Sequence, residues 1–354
     1  MRHGSKIDPP NRFEKIRTEQ AFEDIDVVGD ADFLSAAENR RIEYLDDQSE
    51  SIVSTNNSPD LPFTYSLNPY RGCIHGCAYC YARPGHEYLG FNAGLDFETR
   101  IVVKRKAPEL FRKFLAKKSW VAEPISFSGV TDCYQPAERQ FELTRKCLEI
   151  ACECNQPVSI VTKNALVTRD LDLLKKMAAK NLVHAFVSVT TLDPALARDM
   201  EPRTSIPSAR LRAIQQLASA AVPVGVMVSP VIPGLNDSEV PAILKSSRDA
   251  GASVAGFILL RLPLTVGPVF EEWIQRVRPN QAEMVLNRIR QTRQGKVNDS
   301  EFGQRMKGTG LLAEQIRSMF NTFKKKYRLD QPLPPHNCLD FIRPEDDARQ
   351  QRLF

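Results

Sequence analysis

From Leu61 onward the chain alternates between two hydrophobic patterns. Short runs that are apolar at nearly every position are separated by longer stretches in which apolar residues return every three or four positions. The short runs read as strands: "TYSLNP", "RIVVK", "PISFSGV", "VSIVTK", "VHAFVSVTT", "VPVGVMVSPV" and "VAGFILLRL". The longer stretches read as amphipathic helices. "APELFRKFLAKK" carries Pro108 in its first turn, where a missing N–H costs little. Glu138 to Cys154 sets Phe141, Leu148 and Ala151 along one face. Thr168 to Lys180 starts at a candidate cap, Thr168, with Leu171, Leu174 and Ala178 turned inward. Ser208 to Ala220 is a further helix, and Ser238 to Ala250 is closed by Gly251.

Strands that are apolar on both faces and alternate with helices predict a parallel sheet covered by helices. Counting "TYSLN" first, there are six β/α steps. After Leu264 the pattern turns helical, with Phe270, Trp273, Ile274 and Val277, then Leu312, Ile316, Met319, Phe320 and Phe323. The predicted fold is α/β: a partial (β/α)6 TIM-like barrel over 61–270 with a helical C-terminal extension over 271–354. Chemistry in such folds sits at the C-terminal ends of the strands. Residues 1–60 are acidic and hold polar stretches such as "DDQSESIVSTNNSPD". They are predicted to form a mostly disordered or loosely attached arm, with one helical piece from Ala31 to Leu45.

Composition adds bounds. With 42% hydrophobic and 26% charged residues the chain has the make-up of a soluble globular protein. Its longest apolar runs are too short to cross a bilayer, and the polar N-terminus has no apolar signal core. The expectation is therefore a cytoplasmic protein with no membrane association. The net charge is +5, with a basic body behind the acidic arm. That balance is compatible with an anionic ligand or nucleic acid, and equally with a solvated Arg-rich surface. "FKKKYRL" near the C-terminus is either a nucleic-acid contact or a set of charges that suit a helix C-terminus. "RMKGTGLL" is a weak candidate for a phosphate cradle.

The chemistry concentrates in "RGCIHGCAYCYARPG", which puts Cys73, Cys77 and Cys80 within eight residues, directly after the first strand. In a reducing compartment such thiols are metal ligands or reactive groups rather than disulfides. Structural zinc wants four ligands, usually in two separated pairs, and no second pair is present; His75 or His86 would have to complete the set. Three buried thiols are a second reading, which the glycines of the loop disfavour. Three ligands for an iron–sulfur cluster, with one iron left open, are the third.

"CIHGCAYCY" after the first strand of a β/α array resembles the signature of the radical S-adenosylmethionine superfamily. "LNPYRGC", "CAYCYARP", "DFETRIVVK", "TDCYQPAE" and "IVTKN" are similar to its spore photoproduct lyase-like division. With "GQRMKGTGLLAEQIRSMF", the chain resembles an uncharacterised bacterial group within that division. The resemblance implies a [4Fe–4S] cluster on Cys73, Cys77 and Cys80, and S-adenosylmethionine bound to its fourth iron. Reduction then yields a 5′-deoxyadenosyl radical that takes a hydrogen atom from a substrate. A flavodoxin- or ferredoxin-type electron donor is expected as a partner. Nucleic acid is the substrate that analogy suggests. A peptide or small metabolite is an alternative, as is a non-catalytic metal or Fe–S sensing module.

The resemblance also marks residues around the cofactor. Ser128, Gly129, Thr131 and Asp132 match positions that contact its amino group, unless Asp132 simply caps the next helix. Lys163 matches a residue that neutralises its carboxylate. Ser188 and Thr190 share a face and are expected at the ribose, or as a polar pair in the core. Arg203 is an anion-binding candidate. Val231 and Ile232 are expected to line the adenine, with Tyr79 near its edge. Lesion-repairing relatives return a hydrogen atom from a cysteine that falls at Gly129 here. Cys133, four residues on and beside Tyr134, is the substitute donor region.

Overall fold

The computed structural model describes residues 3–14 and 41–345. Among them are ten strands: β1 (Glu43–Asp46), β2 (Val53–Thr55), β3 (Tyr65–Leu67), β4 (Tyr70–Arg71), β5 (Arg100–Val103), β6 (Ile125–Phe127), β7 (Val158–Thr162), β8 (Val183–Ser188), β9 (Val224–Val231) and β10 (Val254–Leu259). Six of them, β3, β6, β7, β8, β9 and β10, lie side by side and parallel in that order. β2 adds an antiparallel edge beside β3. The described residues give no pairing between β10 and β2, so the sheet stays open as a partial barrel.

The six-step α/β reading thus holds, with one reassignment. "RIVV" is not a step of the barrel. As β5 it sits between β1 and β4 in a separate three-stranded sheet. β4 leads straight into Gly72 and Cys73, so this small sheet, rather than the barrel strand itself, launches the cysteine loop.

Helices cover the sheet because Ile, Leu and Val on their inner faces meet fully buried strand residues such as Ile160, Val187, Val226 and Val228. The expected helix over 138–154 is broken at Glu142, whose φ of 53° separates Glu138–Phe141 from Leu143–Glu153. The helix expected from Thr168 starts earlier. Asn164 accepts a hydrogen bond from Leu166 N and caps a 3₁₀ turn, Ala165–Asp170, before Leu171–Ala178.

The N-terminal arm is not loosely attached where it is described. Ser5 and Asn11 are buried, and β1 and β2 join the two sheets. The expected helix over 31–45 falls mostly outside the described residues, and its end, from Glu43, is strand.

The C-terminal helices are part of the same body. Val266–Val277 and Pro279–Gln291 bury Phe270, Trp273, Ile274, Val285 and Ile289 in one cluster with Cys77, Ala78 and Tyr79 of the cysteine loop. Leu311–Lys326 packs Phe320 on Phe257 of β10, with ring centroids 4.5 Å apart. Gly308 lies against the Leu259 side chain and the Thr292 carbonyl, a packing contact rather than a phosphate cradle. Beyond that helix the chain crosses the N-terminal ends of the strands. Ala255 N donates to Leu329 O at 2.8 Å, and Ile342 N donates to Cys154 O at 2.8 Å. The Lys324–Lys326 run therefore sits at the end of the sheet opposite the cysteine loop.

Candidate active site

The cysteine loop is held by buried polar side chains from four directions. Arg83 donates to the carbonyls of Cys77, Ala93 and Gly94 and to Glu98. Gln135 accepts from Ile74 N and donates to Gly72 O. Arg203 donates to Ile74 O and to Glu98 Oε2. Glu98 also accepts from Gly4 N at 3.1 Å and Ser5 N at 2.8 Å. Burial works to raise the Glu98 carboxyl, but Arg83, His3 and Arg203 together hold it below the usual range. Gly76 has a φ of 63°, and a Cβ there would lie 2.6 Å from Glu98 Oε2. The loop turns only because that residue has no side chain.

The three thiols converge on one cavity of about 230 Å³ at the C-terminal ends of the barrel strands. Cys73 and Cys77 are buried and Cys80 half-buried. Burial pushes all three thiols up, and their mutual repulsion adds to this for Cys73 and Cys77. Bare thiolates are thus disfavoured here, and the charge of bound iron is what would stabilise them. No three His, Cys, Asp or Glu side chains among the described residues are gathered closely enough for a single metal ion. A cubane is larger than an ion and spreads its thiolates over its corners. A soft, all-sulfur donor set beside a cavity fits it.

Of the expected cofactor residues, Tyr79, Ser128, Gly129, Thr131, Asp132, Lys163 and Ser188 line this cavity. Ser128 turns the chain after β6 at a φ of 77°, an uncommon conformation for serine, and its hydroxyl accepts from Cys133 N. Asp132 accepts from Tyr134 N, the Thr162 hydroxyl and Lys163 N, so it fixes the turn as well as facing the cavity. Lys163 Nζ donates to Ser229 O at 3.1 Å and stands 5.9 Å from the centre of the Tyr79 ring.

Six candidate residues lie elsewhere. Thr190 is turned away and donates to Glu201 at 2.8 Å. Arg203 is absorbed by Glu98 and the Ile74 carbonyl. Val231 and Ile232 are fully buried in the apolar core, and Ser229 and Pro230 face the cavity instead. Cys133 is fully buried outside the cavity. Tyr134 is too, its hydroxyl donating to Asp170 Oδ2 at 3.0 Å.

Beneath the cavity is a network that the sequence reading missed. Glu201 accepts from the Tyr79 hydroxyl and from Arg210, which also donates to the Ser188 carbonyl. Burial works to raise Glu201, and Arg210 and Lys163 together with these hydrogen bonds hold it low. Tyr81, Arg261, Arg305 and Met306 line the mouth of the cavity and were also missed. Tyr81 is adjacent to Cys80, and Arg261 is a charge ending an apolar strand run. Both were visible signals.

A family model described as the Radical SAM superfamily matches residues 67–246. The chain belongs to the radical S-adenosylmethionine superfamily. Proteins of this superfamily bind a [4Fe–4S] cluster and S-adenosylmethionine, and this chain is an enzyme of that kind. Uncharacterized proteins of Mycobacterium tuberculosis and Mycobacterium bovis are 35% identical over 285 residues, covering 79% of this chain and 80% of theirs. One of Methanocaldococcus jannaschii is 29% identical, over 57% of this chain and 72% of its own. Spore photoproduct lyase variants match in fold, with a TM-score of 0.59 at 16% identity over 80% of this chain and 79% of theirs. One of these was solved with AdoMet and a dinucleoside spore photoproduct. No helix among the described residues is long and apolar enough to cross a membrane.

Proposed function

We propose that Cys73, Cys77 and Cys80 ligate the cluster and that the cavity beside them is the reaction chamber of a hydrogen-abstracting or lyase-type enzyme acting on nucleic acid. The observation that carries this reading is the convergence of the three thiols with Lys163, Ser128, Asp132 and Ser188 on one cavity at the strand ends. Held by Cys73, Cys77 and Cys80, a reduced cluster would supply the one-electron chemistry for reductive cleavage of S-adenosylmethionine.

The chain's own residues bind and orient. Lys163 is the cation suited to the cofactor carboxylate, and Asp132 with the Ser128 hydroxyl suits its ammonium group. Tyr79, its hydroxyl held by Glu201, offers a fixed ring wall. The buried apolar lining residues Phe97, Leu259 and Leu260 keep water from the reacting atoms. A flavodoxin- or ferredoxin-type donor and a cytoplasmic setting follow from the same reading.

The nucleic-acid substrate rests on the fold shared with spore photoproduct lyase and on the basic body. It is tested by retention of oligonucleotides across a salt series. Binding that weakens steeply with salt, together with oligonucleotide-stimulated 5′-deoxyadenosine formation, is expected. Salt-insensitive or absent retention, with stimulation by peptides instead, would move the substrate to another class.

A further inference from the structure

The arginines deep in this protein are saturated. Arg83 and Arg293 each make five hydrogen bonds, largely to backbone carbonyls. Arg210 is tied to Glu201 and to the Ser205 and Ser188 carbonyls. Arg305, at the cavity mouth, is paired with Asp60 at 2.5 Å and bonded to Ser58. Lys163, at the cysteine end of the cavity, is engaged by Ser229 O.

Arg261 differs. It follows β10, lines the mouth of the same cavity, and is half-buried. Among the described residues it has neither a hydrogen bond nor an ion pair. Its guanidinium lies over the Tyr81 ring, 5.3 Å from the centroid. That ring is itself fixed, because its hydroxyl donates to Gly129 O at 3.0 Å. An arginine that meets an aromatic ring through its guanidinium carbon keeps N–H groups available for a bidentate acceptor. Burial and the like charge of Arg305 both act against the Arg261 cation, with Asp60 and Tyr81 opposing them; Asp60 makes its hydrogen bonds with Arg305 and Gly303 N, so the hydrogen-bonding edges of Arg261 stay open toward the cavity mouth.

We propose that Arg261, stacked on Tyr81, is the subsite for an oxyanion carried by the substrate, a phosphate or a carboxylate, held at the mouth of the cavity while the reacting carbon lies toward the cysteines. A two-oxygen anion is what a free guanidinium edge recognises. The site is separate from Lys163, which stands beside Tyr79. The inference rests on reading the cavity as the reaction chamber.

The test is arginine modification by phenylglyoxal on the intact, cluster-loaded chain, with peptide mass mapping to read Arg261 alone. Arg261 is expected to react readily, unlike the saturated Arg83 and Arg293. Inorganic phosphate or acetate, at an ionic strength matched with chloride, is expected to slow its modification by roughly tenfold when present at ten times its dissociation constant. Protection by phosphate alone identifies a phosphate-bearing substrate, and protection by acetate a carboxylate. The protection is expected to persist when S-adenosylmethionine is added first. If neither anion protects beyond chloride, or if S-adenosylmethionine alone protects fully, no substrate oxyanion subsite exists at Arg261. This readout needs no cofactor cleavage, so it fails independently of the proposed reaction.

Discussion

Lys163 shows how much one strand-end residue is asked to do. It leaves β7 at the cavity floor, its backbone N–H fixed by Asp132 and its Nζ by the Ser229 carbonyl. A charge-assisted hydrogen bond contributes about 1.5–3 kcal/mol. Lys163→Met is therefore expected to weaken S-adenosylmethionine binding by roughly ten- to a hundredfold, measured as a dissociation constant on the cluster-loaded protein. An unchanged dissociation constant would leave Lys163 a purely structural strand cap. At this scale the sequence was informative wherever a side chain follows a strand directly. Ser128, Lys163 and Ser188 were legible as residues at the ends of barrel strands, which face the cavity in any β/α array, while Tyr79 and Asp132 were legible only through the resemblance of the loops that carry them. Thr190 and Arg203 were not. Thr190 lies just past β8 and Arg203 lies beyond the helix Pro194–Met200, and the partner that claims each, Glu201 or Glu98, is set by tertiary packing.

Among the elements, the N-terminal segment carries the clearest consequence. His3, Gly4 and Ser5 all bond Glu98 beneath the cysteine loop, and Asn11 donates to the Glu87 and Phe91 carbonyls. A Cβ on Gly4 would stand 1.7 Å from the Gly76 carbonyl oxygen, closer than any packing allows. Gly4→Val is expected to push this segment off the loop. Limited proteolysis should then cut within residues 3–14, and the melting temperature should fall by a few degrees, in line with an overpacking cost of about 1–3 kcal/mol. Wild-type resistance in the variant would contradict the packing. This segment was invisible to a reading based on periodicity. It has no repeating apolar pattern, and it is ordered by polar contacts to residues some 75 to 95 positions away, Glu87, Phe91, Leu95 and Glu98. The barrel strands were legible for the opposite reason: each is short, apolar on both faces and followed by an amphipathic helix.

On the scale of the whole molecule, the C-terminal stretch closes the end of the sheet opposite the cavity. His336 stacks on His184 with ring centroids 3.9 Å apart, and its Nε2 lies 3.2 Å from Ser159 Oγ. Burial and the neighbouring His184 lower the His336 imidazole to about 4. In the unfolded chain a histidine titrates near 6.5. Between those values the unfolded chain binds the proton and the folded chain does not. The contribution of neutral His336 is therefore complete above about pH 6.5 and is lost as the pH falls toward 4. Urea unfolding of wild type and His336→Phe across this window should show a shallower acid loss in the variant. Parallel curves would remove His336 from the acid response. Both histidines were silent in the sequence, where neither forms part of a motif.

The central claim is that the three thiols of one loop hold a cluster that cleaves S-adenosylmethionine. The direct test is anaerobic: reconstitute the wild-type chain and Cys77→Ala with iron and sulfide, add reductant and S-adenosylmethionine, and measure 5′-deoxyadenosine alongside bound iron. The account predicts product and iron in wild type and neither in the variant. A Cys77→Ala protein that kept its iron and still formed 5′-deoxyadenosine would contradict it.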